Sequence, residues 1–283
     1  MVIQSLNGIE YKLGKPYDMS FINKYGEVFR VFERRSGNIC FGTEKAGKRY
    51  FLKFAGAEVA NPDGKITVEM AIATLKATVT KYKDLKHPLL INQIDAQEVG
   101  GGFLTVFDWF DGESYGYPQT EMCKRFLALP VKEKQRVFEG IMEYHAHVAE
   151  CGYVAVDFND QNTLYNFDSG DFAICDIDFY VKGSYINDGN IPGACLLMSP
   201  EEDEERVGEV VDEISNVYAM GGLAFIYFAV NYIFSAENDK SRNKWTLSNA
   251  LYDVAIRAIS ESRHGRQQSI RSLIAEWKAA DRV

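Results

Sequence analysis

Three oxygen-bearing side chains in the second half of the chain are spaced to act together. The run Val154-Ala-Val-Asp157-Phe-Asn-Asp-Gln-Asn162 sets Asp157 and Asn162 five residues apart. The run Ile174-Cys-Asp-Ile-Asp178-Phe179-Tyr180 brings Asp178 sixteen residues after Asn162. Each carboxylate stands where an apolar, strand-like run gives way to a polar stretch, so one compact loop can present Asp157 and Asn162 to the same cavity. An aspartate and an Asn amide oxygen, completed by water and phosphate oxygens, suit Mg²⁺, a hard ion that prefers oxygen and keeps part of its hydration. The remaining carboxylate, Asp157, can orient a hydroxyl and accept its proton. Asp and Asn also favour turns, so any one of these residues taken alone reads first as turn chemistry. Their order as a set is what points to a site.

The elements that must position them fall into two halves. Up to about residue 110 the chain reads as strands with one helix. Residues 27–33, 38–43 and 49–54 are β-branched or aromatic runs parted by the turn-like segments RRSG and EKAGK. Residues 66–85 carry apolar side chains at 68, 72, 75, 79, 82 and 85, the spacing of an amphipathic helix, and His87-Pro88 ends it. Strands over 90–96 and 102–109 follow. Beyond Asp111 the spacing predicts a helix over 131–151 with Gly152 as its stop. Short strands are expected at 153–157 and 172–176, then a structureless stretch from 180 to 199, then helices over roughly 208–235, 246–261 and 267–280. The class is α+β, with a strand-rich part over 1–110, a helical part over 111–283, and a ligand expected in a cleft between them.

With these runs in this order, the chain resembles the protein-kinase superfamily, in a divergent Ser/Thr-kinase-like form, from about Val28 to Trp277. In that family a catalytic loop H-R-D-L-x-x-x-x-N is followed by D-F-G. The resemblance implies a bilobal fold that binds ATP and Mg²⁺. Asp157 would be the catalytic base, and Asn162 and Asp178 the metal ligands. Lys53, in Tyr50-Phe-Leu-Lys53-Phe, would hold the α- and β-phosphates, and Gly37 would belong to the glycine-rich loop. Val106-Phe-Asp108-Trp-Phe110-Asp-Gly112 is similar to the hinge that binds adenine, so Asp108 and Phe110 are assigned to the nucleotide. Gly193-Ala-Cys-Leu-Leu-Met-Ser-Pro-Glu201 looks like the end of an activation segment, and Arg266 is placed like the arginine that pairs with its glutamate. Asn216-Val-Tyr-Ala-Met-Gly221 is similar to the D-x-W-x-x-G helix start that supports the catalytic loop.

The departures narrow the expectation. Only Gly37 remains of three loop glycines, with Arg34 and Arg35 beside it. The expected helix glutamate falls on Thr78, and Glu69, nine residues earlier, either reaches Lys53 through a shifted helix or leaves the ion pair absent. Ala155 and Val156 replace His and Arg, which removes the usual partner of a phosphorylated activation loop. Asn159 and Ala194 replace a lysine and a threonine typical of Ser/Thr protein kinases. Tyr180 replaces the D-F-G glycine, and Asn216 replaces an aspartate while keeping the capacity to bond backbone. His145 and His147 lie two apart on a helix and share no face. Residues 201–205 read as a solvated acidic face at a helix start. Asp176 is expected to share a strand face with Asp178.

Composition bounds the rest. In 283 residues, 31 basic and 40 acidic side chains give a net charge of −9 and, with aromatics at core spacing, argue against a nucleic-acid partner. Five cysteines in no C-x-x-C pair suggest free thiols in a reducing compartment. The N-terminus lacks the pattern of a signal peptide, and the apolar run 220–234 is shorter than the roughly 20 residues of a membrane span. These readings predict a cytoplasmic chain with no membrane partner. The expected activity is ATP-dependent phosphate transfer to a hydroxyl, of a protein Ser/Thr or alternatively of a small molecule such as an antibiotic or metabolite. A non-catalytic nucleotide-binding module is the third possibility.

Overall fold

The computed structural model describes residues 1–33, 36–60, 66–116, 120–190, 195–232 and 241–282. The chain is α+β and divides into two compact units, Met1–Asp111 and Gly112–Val283.

Tight hairpins build the first unit. Strands β1 (Val2–Leu6) and β2 (Ile9–Leu13) pair through Asn7-Gly8. A five-stranded antiparallel sheet follows, made of β3 (Glu27–Glu33), β4 (Asn38–Lys45), β5 (Lys48–Ala55), β6 (Gln93–Val99) and β7 (Gly102–Asp108), in the order β3-β4-β5-β7-β6. Asn7-Gly8, Ala46-Gly47 and Gly100-Gly101 all have positive φ at both positions, the two-residue turn whose twist matches that of paired strands. Helix α1 (Val68–Asp84) joins β5 to β6, with the Thr67 side chain accepting the Met70 N–H at its start. One face of the sheet, carrying Ile39, Phe41, Leu52, Phe54, Leu104 and Val106, packs with Tyr11 and Leu13 of the hairpin. On the opposite face Ala55 and Phe103 pack against Ala71 and Leu75 of α1. Alternation puts Lys53 on this second face.

The second unit contains β8 (Glu113–Ser114), α2 (Glu121–Leu127), α3 (Val131–Glu150), β9 (Tyr153–Val154), β10 (Thr163–Tyr165) and β11 (Phe172–Ile174). It continues with β12 (Val181–Lys182), β13 (Tyr185–Ile186), β14 (Val210–Val211), α4 (Glu213–Ala229), α5 (Asn249–Ala258) and α6 (Ile270–Ala280). Helix α4 is buried along nearly its whole length and packs against α3, α5 and α6. Gly221 makes the α4–α5 approach possible, because a Cβ there would lie 2.8 Å from both Ala258 Cβ and Ile259 Cγ2. Among the described residues no helix is long and apolar enough to cross a membrane.

Several sequence boundaries are corrected. The helix expected over 208–235 begins at Glu213, because 210–211 is strand and Asp212 caps the helix, its Oδ1 accepting the Ile214 N–H. It ends at Ala229, where Val230 turns left-handed; residues 233–235 lie outside the described residues. The stretch 180–199 is not structureless, since β12 pairs with β9 and β13 with β14. Strand β11 stops at Ile174, and Asp176 has φ 58°, so it cannot share a strand face with Asp178; Asp176 is exposed and Asp178 buried. The acidic run is not one solvated face. Glu201 and Glu202 are buried, and only Asp203, Glu204 and Glu205 are exposed.

Candidate functional site

In the C-terminal unit, β9 delivers the chain into the loop that carries Asp157 and Asn162. Asp157 is half-buried with φ 62°. An aspartate tolerates this left-handed conformation better than most residues, at a cost that functional loops often carry. Asn159 organises the loop. Its Nδ2 lies 3.2 Å from the Asp157 carbonyl and 3.4 Å from Asp157 Oδ1, and its backbone N–H donates to Asn162 Oδ1 at 2.8 Å. Its own Oδ1 accepts the Gln161 N–H. The sequence marks Asn159 only as a departure, although two Asn three apart at a short helix start carry the signature of a cap.

Asn162 joins this loop to the segment carrying Asp178. Its carbonyl accepts the Cys175 N–H at 2.8 Å, and its Nδ2 lies 3.4 Å from the Asp176 carbonyl. Asp178 is 4% and Asn162 7% exposed. The contacts therefore tie Asp157, Asn159 and Asn162 directly, and draw in the second segment through Asp176. Among the described residues no group of three or more His, Cys, Asp or Glu side chains gathers as a metal site. Asn162 and Asp178 each offer one type of oxygen, amide and carboxylate, that could hold an ion whose shell phosphate and water complete. That donor set is all-oxygen and low in protein ligands, as Mg²⁺ prefers. Asn162 Oδ1 keeps one lone pair beyond its bond to Asn159.

Two supports fix this arrangement from below. Asn216, on α4, bonds the Ala155 backbone twice: Oδ1 accepts its N–H at 2.9 Å and Nδ2 donates to its carbonyl at 2.8 Å. His145, buried on α3, has Nδ1 at 2.8 Å from the Ile141 carbonyl, which can only accept. Nδ1 therefore carries the proton, and Nε2 accepts the Tyr180 hydroxyl at 2.9 Å. Burial pushes the imidazole pKa down to about 4. The Tyr180 ring is buried as well, so the position expected to be glycine is filled and bonded.

Further along, Arg266 meets Glu201 through two hydrogen bonds of 2.7 and 3.0 Å, both side chains fully buried. Arg263 reaches the same carboxylate at 2.7 Å and also binds Asp212. Burial pushes the Glu201 carboxyl up, but Arg266 and the Ser215 hydroxyl outweigh it and hold the carboxyl below its ordinary value. The Glu201–Arg266 pair expected from the sequence is formed.

Four sequence-predicted residues belong to the N-terminal unit. Lys53 lies on β5, the third strand of the five-stranded sheet, 8% exposed between Cys40 and Thr105 in register. Gly37 has φ 82° and is buried, and a Cβ there would lie 2.9 Å from both Ala71 Cβ and Ile66 Cγ2. Packing on α1 is thus enough to require glycine; Arg34 and Arg35 lie outside the described residues. Asp108 is already engaged, its N–H donating to the Asn92 carbonyl and its carboxylate taking the Asn92 amide at 2.7 Å and Lys48 at 3.1 Å. The Asn92 hydrogen bond holds this carboxyl below its ordinary value. Phe110 follows, half-buried.

Glu69 does not turn toward the sheet. Nine residues are two and a half turns, so Glu69 lies on the opposite side of α1 from buried Thr78. It is exposed, and hydrogen bonds from the helix start and Thr67 hold its carboxyl below its ordinary value. Ala194 lies outside the described residues. A scan of the chain against models of known protein families finds no match.

Proposed function

We propose that the chain is a kinase-like phosphotransferase, moving the γ-phosphate of ATP to a hydroxyl. The carrying observation is the single hydrogen-bonded unit formed by Asp157, Asn159, Asn162 and the Asp176 carbonyl, held from below by Asn216. An isolated turn has no need of such bracing. The order β3-β4-β5-β7-β6, with Lys53 on the third strand and a helix after it, supports the same reading.

In this scheme Asp157 orients the acceptor hydroxyl and takes its proton as the new O–P bond forms, while ADP leaves with the bridging oxygen. Lys53 neutralises the α- and β-phosphates. Asn162 and Asp178 would hold Mg²⁺, which supplies charge neutralisation at the phosphate oxygens. Since the transition state is loose, positioning and electrostatics do most of the work. A protein Ser/Thr is the favoured acceptor because the Glu201–Arg266 pair fixes the segment that would dock a peptide. A small-molecule hydroxyl is the alternative, favoured by the asparagine at 159 in place of lysine. Nucleotide binding without turnover is the second alternative, favoured by Glu69 facing away from the sheet.

The test is incubation with γ-labelled ATP and Mg²⁺, alone, with generic proteins, and with a panel of hydroxyl-bearing small molecules. Label on protein supports the first reading, and label only on small molecules the alternative acceptor. A nucleotide-dependent thermal shift without label supports binding alone. Asp157→Asn is expected to abolish transfer and keep the nucleotide-dependent shift, whereas Asp178→Ala loses the Mg²⁺-dependent part of that shift. Wild-type transfer rates in either variant would refute the assigned roles.

A further inference from the structure

The ribbon β13–β14 has two unlike faces. Its register pairs Tyr185 with Val211 and Ile186 with Val210. Val211 is buried with Val154 and Val156, and Tyr185 packs on the same cluster. Alternation then turns the cross-strand pair Ile186 and Val210 outward, 54% and 41% exposed, and Val207 just before the ribbon is 65% exposed. Strand propensity accounts for β-branched residues at 186 and 210. It does not account for Val207, which stands in the turn between Arg206 and Gly208.

The patch is held rigidly. Asn187 N–H donates to the Glu209 carbonyl and Gly208 N–H to the Asn187 carbonyl, extending the ladder. The buried Asn187 amide also donates to the Glu201 and Asp203 carbonyls, at 3.1 and 2.7 Å. Arg263 donates to the Val210 carbonyl at 3.0 Å. A rigid surface binds without the cost of ordering itself. Around it stand five exposed carboxylates, on Asp188, Asp203, Glu204, Glu205 and Glu209. The cations of this stretch are Lys182 and Arg206, and Arg206 lies 3.8 Å from Glu209.

We infer that the outer face of β13–β14 is a docking surface for a basic peptide segment of another protein, one that sets an aliphatic side chain on Ile186, Val207 and Val210 and its Lys or Arg residues on the acidic rim. Charge complementarity selects this occupant. A second copy of the chain would bring a like-charged rim and a net charge of −9, and nucleic acid or an anionic membrane would be repelled. Such binding is independent of phosphate transfer. If the chain is a phosphotransferase, the bound protein is its acceptor or its scaffold.

The full chain is titrated into a fluorescein-labelled peptide with a Leu-Val-Ile centre flanked on both sides by Arg and Lys, and anisotropy is followed at low and at high salt. Two control peptides replace the centre with Ala or the flanks with Glu. The expected result is saturable binding that weakens with salt and about tenfold in each of two paired variants, Ile186→Thr with Val207→Ser, and Glu204→Lys with Glu205→Lys. Circular dichroism melts confirm that the variants fold. No binding up to about 1 mM of the chain, equal binding of either control, or failure of either variant pair to weaken it would overturn the proposal. So would a dimer of the chain that Ile186→Thr with Val207→Ser converts to monomer.

Discussion

Asp157 combines a carboxylate with a backbone that most side chains resist. At φ 62° an alanine pays roughly 1–2 kcal/mol that asparagine largely escapes. Asp157→Asn is therefore expected to keep wild-type stability and change only charge, while Asp157→Ala lowers the urea-derived stability by about 1 kcal/mol. His145 makes a second prediction at this scale. The folded chain holds it neutral down to about 4, whereas the unfolded chain protonates it near 6.5. Its contribution is complete above about pH 6.5 and is lost as pH falls toward 4, a total of about 3 kcal/mol. Glu202, whose pKa burial raises, works in the opposite direction, so the comparison must be with a variant. The stability gap between wild type and His145→Gln, measured by urea titration, should narrow steadily between pH 6.5 and 4.

Elements tell which supports are specific. Asn216 gives Ala155 both an acceptor and a donor, so the aspartate found at the matching position of the resembled motif would not serve here. Asn216→Asp should cost about 1–3 kcal/mol, because a carboxylate would then face the Ala155 carbonyl. Glu201→Gln leaves two arginines without their shared charge and should cost about 3–5 kcal/mol in thermal or chemical denaturation. Replacing Glu201 and Arg266 together by Met should recover part of that loss, since the uncompensated charge is then reduced.

The five-stranded sheet was legible because its apolar runs and turn residues agree locally, as at 27–33. Asn7-Gly8 is an equally strong hairpin signal, but the flanking strands are short and half-exposed and carry a weak apolar alternation. The burial of Glu201 and Glu202 was not legible from local sequence. It depends on Arg266, sixty-five residues away, and on a cap in which Glu202 accepts from Ser199. The spacing of Asp157, Asn162 and Asp178 singled out the loop, while its bracing by Asn159 became visible only with the backbone in place.

At the scale of the whole molecule, each unit has its own apolar interior, the first around Phe41, Leu52 and Phe54 and the second around α4. Residues 1–111 expressed alone are expected to melt cooperatively by circular dichroism. The helix α4 ties several distant parts of the second unit together, since it carries Asn216 under the Asp157 loop and Gly221 against α5. Five residues separate the two positions, less than one and a half turns. A single methyl at Gly221 has nowhere to go except into α5, and a rigid rod pushed at one point must tilt along its length. Gly221→Ala would then act as a remote misalignment, slackening the grip on Ala155 and shifting the loop that carries Asp157, a carboxylate it never touches.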